Sequence, residues 1–194
     1  MSMIDFNTAE RQSAPQGEPI PEGTVAPVIL NLREIKTGKS GAKGLDVEYT
    51  ITAGPLKGRK AWGWIGISGN DTEGHKTMVR ISMAGLRAVL ESAYGIDPAD
   101  DKAAAMEARR IDDWEDFNGL EFVARFGIEK ATEYTDQRTG ETKKGKDKNT
   151  VRAVTPDDED YSGFTPAKKA KAAPAKATGT AQPVQAGGSR PAWA

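Results

Sequence analysis

Cysteine is missing from these 194 residues, and histidine occurs once, as His75. The first absence removes disulfides, thiolate zinc sites and cysteine nucleophiles together, and it suits a reducing compartment. The second leaves little of the usual metal and acid–base repertoire. Asp71, Glu73 and His75 lie close together, but three ligand types in one polar loop with no second cluster read as a solvated turn rather than a metal site. No metal, cofactor or catalytic residue is expected, and an enzyme is the least supported functional class. Long apolar runs are lacking too. None approaches the ~20 residues that cross a bilayer, and the opening MSMIDFNTAERQ has neither the basic start nor the apolar h-region of a signal peptide. The expectation is a soluble, cytoplasmic protein with no membrane partner.

Net charge is also nearly absent, at −1 from 27 Lys and Arg against 28 Asp and Glu. The average hides segregation along the chain. Arg33, Lys36, Lys39, Lys43, Lys57, Arg59 and Lys60 outnumber Glu34, Asp46 and Glu48 in one segment, whereas acids dominate from Asp97 to Glu121. One basic and one acidic face allow local binding of a polyanion without general collapse onto it. Hydrophobic content of 37% supports one modest core with polar appendages.

The most informative stretch is LDVEYTITAGPLKGRKAWGWIGISG, from Leu45 to Gly69. Leu45, Val47, Tyr49 and Ile51 alternate with Asp46, Glu48 and Thr50, the period of a strand with one buried face. A turn through Gly54, Pro55 and Gly58 carries Lys57, Arg59 and Lys60. The next strand sets Trp62 and Trp64 on one face against Ala61, Gly63, Ile65 and Ile67 on the other. Two roles fit the tryptophans, as core or as stacking platforms for unpaired bases beside phosphate-binding cations.

Residues 1–22, rich in Pro, Gln, Glu and Ser, read as an extended or weakly docked arm. A first strand is expected over Thr24 to Lys36, with Pro27 marking an edge or bulge. The loop TGKSGAKG then presents Lys39 and Lys43 at its tip. Strands follow over Leu45 to Ala53 and Lys60 to Ser68, then a polar loop, Ser68 to Lys76. Met78, Ile81, Leu86, Val89, Leu90 and Ala93 recur at helical spacing up to Gly95. An acidic second helix is expected within Pro98 to Arg110. Leu120 to Lys130 alternates as a further strand. A long hairpin loop with Tyr134, Lys143, Lys144 and Lys146 leads to a last strand, Asn149 to Thr155. Residues 156–194 turn low-complexity and cannot bury enough to fold. They end in Arg190, Pro191, Ala192, Trp193 and Ala194, where an aromatic so near the terminus is either incidental or a short partner-docking motif.

Five strands with a helix between the third and fourth predict a mainly β, OB-fold-like barrel over residues 23–155, with an acidic helical insertion and a disordered tail. Its binding groove would gather Lys39, Lys43, Lys57, Arg59, Lys60, Trp62, Trp64, Tyr134, Lys143, Lys144 and Lys146. The runs EIKTGKSGAKGLDVEYTITAGPLKGRKAWGWIGI, LRAVLESAYGI and FNGLEFVARFGIEK, closing at KNTVRAV, resemble a family of phage-encoded single-stranded DNA-binding proteins. The resemblance covers about Pro21 to Thr155, and the acidic insertion and Trp64 depart from the pattern. It implies an OB-like fold and a protein that coats single-stranded DNA during phage replication or recombination, in the host cytoplasm. The competing reading is an adaptor that recruits a replication or recombination protein through Arg190, Pro191 and Trp193. Self-association into a homo-oligomer stays open.

Overall fold

The computed structural model describes residues 18–135, 138 and 140–161. Four long strands alternate buried and solvent-facing side chains: β1 (Val25–Thr37), β2 (Lys43–Ile51), β3 (Lys60–Ser68) and β4 (Leu120–Glu129). With β7 (Lys148–Ala153) they form one antiparallel sheet in the order β3-β2-β1-β4-β7. Helix α1 (Glu73–Tyr94) follows the third strand. Among the described residues no ladder joins β3 to β7, so what the fold establishes is an open five-stranded sheet. Its two edge strands face one another across a cleft.

The inner face holds the core. Val28, Leu30, Leu45, Val47 and Ile51 meet Phe122 and Phe126 of β4 and Leu86, Leu90 and Ala93 of α1. Apart from the single methyl of Ala93, each such side chain, fully buried, contributes roughly 1.5–3 kcal/mol. Tyr49 packs edge-on to Phe122, with ring centroids 6.2 Å apart. Pro27 lies in the central strand β1, not at a sheet edge. It costs no ladder bond because β2 has already ended there: pairing starts at Val28 with Ile51, and the Pro27 carbonyl takes the N–H of Thr52 at 2.9 Å.

Several expectations are corrected. The polar loop after β3 is shorter than Ser68 to Lys76, since α1 starts at Glu73, where Thr72 Oγ1 accepts the His75 N–H at 3.3 Å as an N-cap. The acidic second helix shrinks to α2 (Ala103–Ala108), because Asp97 and Asp100 side chains accept the N–H groups of Ala99 and Lys102 and hold the preceding residues in turns. The insertion is organised by a cation instead. Arg109 bonds buried Glu91 at 2.7 Å and the carbonyls of Asp97, Pro98 and Asp100. The long basic loop contains a two-stranded ribbon, β5 (Glu133–Thr135) with β6 (Thr142–Lys144).

Both chain segments flanking the sheet also contribute. Ile20, assigned to the arm, is fully buried, and Asn149 pairs its backbone like a neighbouring strand, accepting its N–H and donating to its carbonyl at 2.8 Å each. At the other end, Asp158, Asp160 and Tyr161, assigned to the tail, lie against β4 and α1: Arg125 bonds both aspartates, and the Tyr161 hydroxyl donates to the Ser92 carbonyl at 2.6 Å.

Candidate nucleic-acid interface

Period-two alternation along β3 puts Ala61, Gly63 and Ile65 toward the core, and Trp62 and Trp64 on the solvent face at 56% and 43% exposure. Glycine makes this possible at two places. A Cβ on Gly44 would come within 2.3 Å of the Trp64 ring, so this indole lies on bare backbone. A Cβ on Gly63 would press on Tyr49 at 3.2 Å from the inner side.

The ladder sets Asp46 opposite Trp64, Glu48 opposite Trp62 and Thr50 opposite Lys60. Glu48 accepts from Lys60 Nζ at 2.7 Å and from Trp62 Nε1 at 3.2 Å. The Lys60 hydrogen bond holds the Glu48 carboxyl below its ordinary range. Asp46 is paired with Lys36 at 2.7 Å and Arg33 at 3.8 Å. The face beside the indoles is therefore charge-balanced, and Lys60 is not a free phosphate contact. Arg59 is engaged as well, donating to the Glu18 carbonyl.

Lys39, Lys43, Lys57, Lys144 and Lys146 are exposed and in no ion pair among the described residues. They do not crowd one spot. Lys43 pairs with Ser68, so its loop sits at the Trp64 end of β3, where Asn70 Nδ2 donates to the Ser40 carbonyl. Lys57 belongs to the turn entering β3, in which Gly54 and Gly58 adopt φ of 83°, a conformation that favours glycine. A cleft of 640 Å³ sets Arg59, Lys60 and Trp62 against Asp147, Lys148 and Asn149, which places the root of the β5–β6 ribbon at that same end. Cations thus stand at both ends of a nine-residue strand spanning ~26 Å, with the indoles between. The ring of Tyr134 and the side chain of Lys143 lie outside the described part of the structure, as do Arg190, Pro191 and Trp193.

A second cleft wall went unread in the sequence. Trp62, Trp64 and Ile65 face Lys148, Thr150 and Val151 across 580 Å³. The alternation of Asn149 to Thr155 carried the signal, but nothing in it revealed that β7 would stand across from β3. Asp71, Glu73 and His75 do not converge: both acids pair with Lys76, and the His75 ring packs at Gly69. Among the described residues no group of three or more His, Asp or Glu could hold a metal ion, and no helix is long and apolar enough to cross a membrane. Compared with known proteins, the chain matches no family model and no curated protein.

Proposed function

We propose that this protein binds single-stranded DNA along the outer face of β2 and β3, without catalysis, coating exposed strands during phage DNA replication or recombination. The observation that carries the reading is the pair of half-exposed tryptophans side by side on a strand edge. Soluble proteins rarely leave two large rings bare without a use, and each indole can stack one base for ~1–3 kcal/mol. Unpaired lysines at both ends of the same strand supply phosphate contacts to a chain laid lengthwise. The open sheet supports an OB-like barrel whose seam lies between β3 and β7, since those strands face each other across clefts lined in the same sequence direction.

The test is a titration of labelled single-stranded and duplex oligonucleotides at two salt concentrations. Single strands of mixed sequence should bind tightly and duplex weakly. If all five unpaired lysines contact phosphates, the logarithm of the binding constant should fall against that of salt with a slope near −3.5, from ~0.7 per phosphate. A duplex preference or a flat salt response overturns the reading. Recruitment of a replication or recombination protein through Arg190, Pro191 and Trp193 rests on the sequence alone, and deleting Arg190 to Ala194 should abolish it without touching strand binding.

A further inference from the structure

The two carboxylates that face the indoles are not equivalent. Glu48 is occupied on both oxygens: Oε1 accepts from Lys60 and Thr50, and Oε2 from Trp62 Nε1. Asp46 is held through Oδ2, by Lys36 and Arg33, and its Oδ1 accepts no hydrogen bond from any of the described residues. Its side chain is 17% exposed, it sits opposite Trp64 in the ladder, and it lines the 580 Å³ cleft together with Trp62, Trp64 and Thr150. A base stacked on Trp64 therefore meets, at its edge, a positioned oxygen with free lone pairs.

Resting on the strand-binding reading, we infer that Asp46 is a specificity-determining residue that favours bases with an exocyclic amine and disfavours thymine and uracil. A carboxylate accepts hydrogen bonds and donates none. Cytosine offers its N4 amine where thymine presents the O4 carbonyl. Thymine's one ring donor, N3–H, stands between two carbonyl oxygens that the carboxylate repels. Cytosine and thymine have rings of the same size, so stacking on the indoles does not separate them. The edge contact does. Lys36 and Arg33 act as positioning residues, since they hold one oxygen and leave the other without a partner among the described residues, on a side chain that lines the cleft.

The experiment titrates the full chain with labelled oligo-dC and oligo-dT of equal length at one fixed salt concentration, then repeats both with Asp46→Asn. Wild type should bind oligo-dC about tenfold more tightly, the scale of one charge-assisted hydrogen bond. Asp46→Asn should bring the ratio close to one, mainly by strengthening oligo-dT, because an amide can turn its NH₂ toward O4. Equal binding, or tighter oligo-dT, in the wild type overturns the assignment and leaves strand binding standing. A cytosine preference that survives Asp46→Asn overturns Asp46 as its source. Failure to bind either oligomer overturns the strand-binding reading itself, and this inference with it.

Discussion

The two halves of the sheet treat their charges in opposite ways. On β2 and β3 the acids and cations come from neighbouring strands and pair laterally, Glu48 with Lys60 and Asp46 with Lys36, which leaves Trp62 and Trp64 uncovered. On β4 the outward Arg125 is capped by residues that follow β7. It bonds both Asp158 oxygens at 3.0 Å and Asp160 at 2.7 Å, while Tyr161 bonds α1 beside them. The aspartates hold Arg125 above its ordinary value. Asp158 is lowered chiefly by the N–H of Asp160, with Arg125 adding to it. Two aspartates against one arginine leave excess acid on the half of the sheet away from the indoles, so the net charge of −1 is not spread evenly over the molecule.

The strongest way to break this contrast is to remove both bare rings. Trp62→Ala combined with Trp64→Ala should cost ~2–6 kcal/mol of single-strand binding, read by oligonucleotide titration. The melting temperature should move little, since neither ring is in the core. Binding that survives the double substitution would falsify the open half as the interface. The covered half should respond in the other observable. Tyr161→Phe leaves the Ser92 carbonyl without its hydroxyl donor and should lower stability by ~1 kcal/mol in urea unfolding, with strand binding unchanged. Adding Asp158→Asn and Asp160→Asn should cost less again, since Arg125 is 41% exposed at its side chain and such pairs contribute ~0–1 kcal/mol. The smallest effect concerns pH. Glu48 is depressed below its ordinary 4.5, so its pairing with Lys60 is fully present above that value and is lost as pH falls through the lower folded value. Acid unfolding followed in wild type and Glu48→Gln should differ there and converge once Glu48 is protonated.

Much of the scaffold is local and was readable. Lys60 to Ser68 is the third strand at both ends, because period-two alternation between a tight turn and a polar loop has few other solutions. The helix from its apolar repeat to Gly95 is equally local, with Gly95 in the left-handed conformation at φ of 65°. Ile20 was not readable, for it is a single apolar residue in a Pro- and Glu-rich segment, and its place depends on Asn149, 129 positions away. The pairing of Lys60 with Glu48, and the hold of the Glu18 carbonyl on Arg59, were hidden for a related reason. Sequence counts cations, whereas pairing across strands decides which of them stay available.

Alternation alone determined that Trp62 and Trp64 share a face, because successive side chains in an extended chain must point to opposite sides. Which side they take was a tertiary decision. The inner side of β3 is already filled by Tyr49 pressing on Gly63 and by Phe122 behind it, while the outer side offers the bare backbone of Gly44. Large rings fit only where packing leaves room, and that room exists only once β2, β3 and β4 have assembled.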